Sequence, residues 1–164
     1  MSRIDVRKRQ IIPTLQGAEP SDQAWLDMDR NVMVEVTSEE KAYPIESVLL
    51  PDENENCGWR AANPGTQIIR VIFDEPQKLR RIWLVFEDAE NTRTQEFVLR
   101  WSPGTGDPFR EIVRQQWNFS PSGSIREIED YTVDLSEVAV LELIIVPDKA
   151  DREARASLKS LRLA

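Results

Sequence analysis

The chain has 164 residues, the length of one domain, and its 29 acidic against 21 basic residues give it a net charge of -8. Because this charge repels phosphate backbones and anionic lipids, it argues against nucleic acid and membrane surfaces as partners. Cys57 is the only cysteine, so an internal disulfide is excluded. Histidine, the commonest general base and transition-metal ligand, is absent. The sequence therefore predicts no enzyme and no cofactor.

Residues 1–30 are predicted to form an extended arm ahead of one domain at 31–164. The arm holds few apolar residues, and its stretch 16–22 has the composition of a loop. Ile11, Ile12 and Trp25 are the residues of the arm that can pack against the body. No apolar stretch near the N-terminus has the length of a signal peptide or a membrane span, which together with the single thiol favours a cytoplasmic protein.

From Asn31 onward, short runs of β-prone residues alternate with turn residues, and this pattern predicts an all-β sandwich or barrel. The last run also fits a helical stripe through Ala154, Leu158 and Leu161, but we favour a strand there. The nine predicted strands span residues 32–36, 45–50, 67–74, 79–87, 94–102, 109–119, 124–135, 138–146 and 154–163.

Strict alternation of apolar and polar residues assigns one face of four predicted strands to the core. The opposite faces carry charged residues, as expected for strands that are half open to water. The twelve core candidates are Ile69, Val71, Phe73, Ile82, Leu84, Phe86, Phe97, Leu99, Trp101, Leu141, Leu143 and Ile145. The residues expected to face water are Arg70, Arg81, Glu96, Arg100 and Glu142.

The connections between successive antiparallel strands alternate between the two ends of the domain. Short links at 75–78, 103–108 and 136–137 belong to one end, and the links at 51–66, 88–93, 121–123 and 147–153 belong to the other. Binding residues concentrate on the longer loops of a rigid scaffold. We therefore predict the functional face at the end with the longer links, which we call the loop end.

Four stretches resemble, in their order along the chain, the discoidin-like domains, the coagulation-factor type C family of the galactose-binding-like fold. They are residues 47–52 followed by Trp59, the strand pair 67–74 and 79–86, the turn 102–109, and the closing strands 141–148 and 156–163. The resemblance implies an antiparallel jelly-roll β-sandwich that recognises a ligand without catalysis, with carbohydrate as the ligand class.

Two of the departures of this chain from the family pattern bear on sugar and metal binding. Sugar-binding members commonly use loop histidines, and this chain has none. Ser160 stands where the family often has a glutamate that ligates calcium, and its neutral hydroxyl is a poor substitute for a carboxylate. We therefore predict no metal site in the last strand and no dependence of folding on calcium.

Trp59, Arg60 and Asn63 lie together in the longest predicted link of the loop end. They offer an aromatic face, a forked hydrogen-bond donor and an amide, the groups that stack on and hydrogen-bond a sugar or a peptide. The alternative for Trp59 is a packing role at the base of the sandwich, since large aromatic residues are mostly buried.

Trp117, Phe119 and Arg93 are further ligand-binding candidates at the same end. Alternation places Trp117 and Phe119 on one side of their strand, so one ring could serve as a platform for the ligand. Core packing is the alternative for these rings also.

Several carboxylates fall on the links of the loop end and could supply oxygen ligands to calcium, but no regular calcium-loop spacing is present. They are Asp52, Glu53, Glu55, Glu87, Asp88, Glu90, Asp148 and Asp151. Three functions remain open at this point: recognition of carbohydrate, interaction with a protein partner or assembly, and hydrolysis by a pair of carboxylates. The oligomeric state is also open.

Overall fold

Strands dominate the computed structural model, which describes residues 25–49 and 58–164. The only helix in these two ranges is a single turn, and no helix there is long and apolar enough to cross a membrane. In chain order the elements are β1 (Val32–Val36), α1 (Glu46–Leu49), β2 (Trp59–Arg60), β3 (Gln67–Glu87), β4 (Arg93–Ser102), β5 (Arg110–Phe119), β6 (Arg126–Val146), β7 (Ser157–Leu158) and β8 (Ser160–Leu163).

Two long antiparallel strands, β3 and β6, take part in both layers of the sandwich. Their pairing runs from Gln67 with Ile145 to Glu87 with Arg126, and it shifts register between Ile72 and Arg81. On one side of this irregular stretch, β1 and β4 flank the pair, and β5 extends β4 to complete a five-stranded layer. On the other side, β8 joins the second half of β3 to make a three-stranded layer.

Two of the predicted links are wrong, because residues 75–78 and 136–137 lie inside β3 and β6. The strands bend there, through the register shifts, and pass from one layer to the other. Pro76 is accommodated at this irregular stretch, the setting in which a proline is tolerated within a strand. The two bends still lie at the end of the domain opposite the loop end.

The predicted strand at 45–50 is also wrong, since residues 46–49 form the turn α1 and residue 50 lies outside the described ranges. The backbone N–H of Ile45 donates to a carboxylate oxygen of Glu39 at 2.9 Å, which satisfies a donor just ahead of the turn. Val48 and Leu49 are buried from the turn. A run this short has no periodicity that separates a strand from a helical turn.

Eleven of the twelve core candidates are buried, and Trp101 is half-buried. The Phe86 and Phe97 rings, one from each layer, have centroids 5.2 Å apart and mark the contact between the layers. The β-sandwich and its inward faces are therefore confirmed.

Glu142 was expected to face water and is instead 0% exposed. On the outer face of the five-stranded layer, Arg70 Nε donates to Oε2 of Glu142 at 2.6 Å, and Arg100 Nε donates to Oε1 at 2.7 Å. Alternation had assigned the right face, but the long side chains of the two neighbouring arginines cover the carboxylate.

The last residues of the predicted arm pack against the three-stranded layer. The Leu26 N–H donates to the Leu163 carbonyl at 2.7 Å, and the ring of Trp25 lies 6.5 Å from that of Trp83. The contact expected of Trp25 is thus present. The other two arm residues expected to pack, Ile11 and Ile12, lie outside the described residues.

Candidate functional site at the loop end

The links expected at the loop end do meet there. Asp88 N–H donates to the Ile125 carbonyl at 2.8 Å, which joins the β3–β4 link to the β5–β6 link. Lys149 N–H donates to the Thr94 carbonyl at 2.9 Å, which brings the segment after β6 to the start of β4. The predicted grouping of these links is therefore confirmed for the described residues.

A narrow antiparallel ribbon forms one side of the loop end. The pairing of β2 with β7 continues beyond both strands, because Ala61 N–H donates to the Ala156 carbonyl and Gly65 N–H to the Ala154 carbonyl, both at 2.9 Å. We call residues 59–66 and 152–158 the loop-end ribbon. Its approach to β7 requires glycine at position 58, where φ is 76° and a Cβ would lie 2.8 Å from the Leu158 carbonyl oxygen.

An open groove of about 600 Å³ lies between the loop-end ribbon and the links at 87–91 and 125–126. We call it the first groove. Two ion pairs border it: Arg126 Nε lies 3.2 Å from Glu87 Oε1, and Arg155 Nη1 lies 3.5 Å from Glu40 Oε1. The residues lining it are Glu40, Trp59, Arg60, Glu87, Asp88, Ala89, Glu90, Asn91, Ile125, Arg126, Arg155, Ala156, Ser157, Leu158 and Lys159.

Arg60 is the predicted site residue that the structure presents to this groove. Its side chain is exposed, and the guanidinium carbon lies 4.2 Å from the centroid of the Tyr43 ring. This cation–π contact holds the guanidinium at the ring and uses none of its N–H groups as hydrogen-bond donors. Among the described residues no carboxylate pairs with Arg60. Tyr43 orients Arg60, but no pattern in the sequence marks Tyr43 as a site residue.

Trp59 does not offer its ring to a ligand, because the side chain is 0% exposed. Its Nε1 donates to the Ser38 carbonyl at 3.1 Å, so the polar atom is satisfied inside the protein. Trp59 therefore has the packing role that was the alternative to ligand binding. Asn63 is exposed farther along the loop-end ribbon, where its backbone N–H donates to Ser38 Oγ at 3.2 Å, and it does not line the first groove.

Arg93 was expected to contact a ligand and is instead buried, with 6% exposure. Its Nε donates to Asp88 Oδ2 at 2.7 Å, and its Nη1 donates to Gln95 Oε1 at 3.0 Å and to the Pro147 carbonyl at 2.8 Å. The guanidinium also lies 4.4 Å over the Phe119 ring. Buried hydrogen bonds of Arg93 therefore connect the β3–β4 link, through Asp88, to the segment after β6, through Pro147.

Asp88 holds the turn that forms one wall of the first groove. Its Oδ1 accepts hydrogen bonds from the N–H groups of Glu90 and Asn91, both at 3.0 Å. Burial by itself raises the pKa of Asp88, but the hydrogen bond from Arg93 and the two backbone hydrogen bonds outweigh it and lower the pKa overall. The carboxylate thus stays ionised and keeps the turn in place.

Trp117 and Phe119 lie on one side of β5, as alternation predicts, with ring centroids 6.5 Å apart in an edge-on arrangement. Phe119 is 1% exposed and belongs to the core, so the expected platform role is wrong for this ring. Trp117 is half-buried against the same core and does not line the first groove. Its Nε1 is buried and has no hydrogen-bond partner in the described part of the chain.

A buried carboxyl cluster beside these rings was missed by the sequence analysis. Glu127 on β6 is 0% exposed, and Gln95 Nε2 donates to its Oε1 at 3.1 Å, whereas its Oε2 has no donor. Burial, and then the neighbouring Glu129, raise the pKa of Glu127 to about 8. The Tyr131 hydroxyl donates to Glu129 Oε2 at 2.8 Å, and burial raises the pKa of Tyr131 as well.

No group of three or more Asp, Glu or Cys side chains comes together as a metal site within residues 25–49 and 58–164. Ser160 is buried in β8, opposite Val85. Of the acidic residues expected at the loop end, Asp52, Glu53 and Glu55 lie outside these ranges. Asp88 and Glu87 are paired with arginines.

Comparison with known proteins finds likeness only among solved structures, since no family model and no curated protein matches. The CBM32 domain of AlyQ, solved with 4,5-unsaturated mannuronic acid, is 13% identical with a TM-score of 0.61, and the match covers 87% of this chain and 98% of that one. The family 32 CBM of NanJ from C. perfringens, solved with galactose, is 14% identical with a TM-score of 0.60, covering 85% and 96%.

A third match is to part of a much larger chain. The GH29 fucosidase of Ruminococcus gnavus, solved with fucose, is 9% identical with a TM-score of 0.63, and the match covers 84% of this chain but 26% of the enzyme. These likenesses confirm the predicted galactose-binding-like fold of the discoidin-like type.

Proposed function

We propose that this chain is a non-catalytic carbohydrate-recognition module whose ligand occupies the first groove. The observation that carries the proposal is the groove itself, an open cleft of about 600 Å³ at the end of the sandwich where the longer links meet. Ligand sites of this size occur where loops converge on a rigid scaffold.

The lining of the first groove has the two kinds of surface that a sugar ring requires. Arg60 presents N–H groups, Ser157 adds a hydroxyl, and Asn91, whose Nδ2 donates to Asp88, adds its amide oxygen; all three can pair with sugar hydroxyls. Ile125, which is 43% exposed, provides an apolar surface for the C–H face of a ring. An exposed isoleucine beside polar groups in a cleft is typical of a binding site.

The solved structures with this fold support the choice of ligand class. Modules of nearly the same length as the matched region are described in complex with 4,5-unsaturated mannuronic acid, with galactose and with GalNAc-beta-1,3-galactose. We extend this ligand class, but none of these particular sugars, to the present chain.

The carboxylates of the first groove favour recognition over hydrolysis. Glycoside hydrolysis by paired carboxylates requires one carboxyl with a raised pKa to act as general acid. Of the four carboxylates that line the groove, Glu87 is paired with Arg126 and Glu40 with Arg155, and the hydrogen bond from Arg93 lowers the pKa of Asp88. The carboxyl with a strongly raised pKa, Glu127, is fully buried and does not line the first groove.

The test is a glycan array followed by isothermal titration calorimetry of the sugars that bind. Arg60→Ala and Ile125→Ser are expected to weaken binding by about tenfold each, the loss of one charge-assisted hydrogen bond or one apolar contact. Arg80→Ala, the same charge change at the exposed opposite end, is the matched control and should bind as the parent does.

Two results would count against the proposal. An array with no bound glycan would refute carbohydrate recognition as such. Full affinity in both groove variants, with unchanged melting temperatures, would show that the sugar binds elsewhere on the domain.

A further inference from the structure

A second groove, of about 340 Å³, lies at the far end of the loop-end ribbon. It runs between residues 65–66 and 152 of the ribbon and residues 146–151, at and after the end of β6. We call it the second groove. Its lining includes Thr66, Pro147, Asp148, Lys149, Asp151 and Arg152.

The two grooves lie at opposite ends of one wall. Arg60 and Ser157 of the loop-end ribbon line the first groove, and Thr66 and Arg152 of the same ribbon line the second. The hydrogen bonds from Ala61 and Gly65 to the opposite strand hold the ribbon together between them. Because Arg60 and Thr66 are six residues apart, the two positions are separated by at most ~20 Å.

The opposite walls of the two grooves are also joined, by the buried guanidinium of Arg93. Asp88 lines the first groove and accepts from Arg93 Nε at 2.7 Å. Pro147 lines the second groove, and its carbonyl accepts from Arg93 Nη1 at 2.8 Å. One rigid, planar side chain therefore sets the spacing of the two grooves.

The second groove presents polar atoms that the protein does not use. Oδ1 of Asp148 accepts from the N–H groups of Ala150 at 3.0 Å and Thr94 at 3.4 Å, and Oδ1 of Asp151 accepts from the Glu153 N–H at 2.9 Å. Within the described ranges both Oδ2 atoms remain as acceptors. Lys149 is held by Glu96 at 3.1 Å. Arg152 is exposed, and no carboxylate of the described residues pairs with it.

From this arrangement we infer that the ligand is an extended oligosaccharide that lies along the loop-end ribbon, with one end in the first groove and a later sugar unit in the second. Arg152 and Thr66 donate hydrogen bonds to that unit, and the carboxylates of Asp148 and Asp151 accept from its hydroxyls. This inference rests on the proposed function and adds the length of the ligand.

The experiment measures affinity against chain length by calorimetry. The probes are three series of one to six units: oligogalacturonates, oligomannuronates and β-linked galacto-oligosaccharides. The parent protein is expected to bind the longer members of at least one series about tenfold more tightly than the monosaccharide, since each charge-assisted hydrogen bond in the second groove adds affinity.

Two variants test the second groove directly. Arg152→Ala removes a donor and Thr66→Trp fills the space, and both are expected to abolish the gain with length while binding the monosaccharide within about twofold of the parent. Arg80→Ala is the matched control and should keep the full gain.

The outcomes separate the two proposals. Affinity that does not change with chain length, or a gain that survives both Arg152→Ala and Thr66→Trp, would overturn the second groove as a subsite and leave the proposed function standing. Binding of no saccharide of any length would refute the proposed function itself.

Discussion

Glu127 makes the stability of this domain depend on pH in a direction unusual for a carboxyl group. Its pKa in the folded protein is raised to about 8 from an ordinary value of 4.5, first by burial and then by Glu129. Between these two pKa values the folded state keeps a proton that the unfolded state has released. The free energy of unfolding should therefore fall as the pH rises from about 4.5 to about 8, and the contribution is present in full only below that window.

The magnitude follows from the size of the shift. Each pH unit between the two pKa values corresponds to about 1.4 kcal/mol, so the whole window represents of the order of 5 kcal/mol. Glu127→Gln removes the titration and keeps an oxygen that accepts from Gln95, while its amide can donate to Glu129. The difference in unfolding free energy between variant and parent should shift in favour of the variant by about 4 kcal/mol from pH 5 to pH 8.

Urea denaturation followed by tryptophan fluorescence at pH 5, 6.5 and 8 measures this difference. Titrating groups that do not interact with Glu127 cancel when variant and parent are compared at the same pH. Glu137→Gln, the same chemical change at an exposed position of β6, is the matched control. A difference between Glu127→Gln and the parent that stays constant within about 1 kcal/mol from pH 5 to pH 8 would refute the reasoning.

Three further substitutions test the buried polar contacts. Arg93→Met leaves the Asp88 carboxylate buried without its cation and should lower the free energy of unfolding by about 3–5 kcal/mol in urea, whereas a loss below 1 kcal/mol would contradict the pairing. Glu142→Gln removes the charge between its two arginines, which are partly exposed and stay hydrated, and we expect a loss of about 1–2 kcal/mol, visible as a lower melting temperature. Trp59→Phe loses the hydrogen bond to the Ser38 carbonyl and should lower the free energy of unfolding by about 1–3 kcal/mol without changing sugar affinity. Weaker sugar binding at unchanged stability would show that the Trp59 ring contacts the ligand.

The layered β fold could be predicted because alternation along a strand reports which face is apolar. Ile69, Val71 and Phe73 illustrate this, since one sheet face requires every second residue to be apolar. The bends inside β3 and β6 could not be predicted. A charged or proline-containing stretch such as 75–78 has the same composition whether the chain ends a strand or passes from one layer to the other.

The grouping of the links at the loop end could be predicted from the sequence, but the orientation of individual side chains there could not. Composition cannot tell an aromatic ring that packs from one that binds, and Trp59 and Phe119 both turned inward. The buried carboxyl of Glu127 did leave a signal that was overlooked. Glu127 lies an even number of positions from Val133 and Leu135 along β6, so all three side chains lie on the same, inward face of the strand.

The passage of β3 and β6 through both layers also determines how the domain unfolds. Neither layer has its own complete set of strands, so neither can open while the other stays hydrogen-bonded along its central pair. Amide hydrogen exchange in the two layers should therefore report one shared opening event with the free energy of global unfolding, and no subdomain should exchange ahead of it. Because this pair joins residues as distant in the chain as Gln67 and Ile145, refolding should be slow for a domain of this size, on the order of milliseconds to seconds.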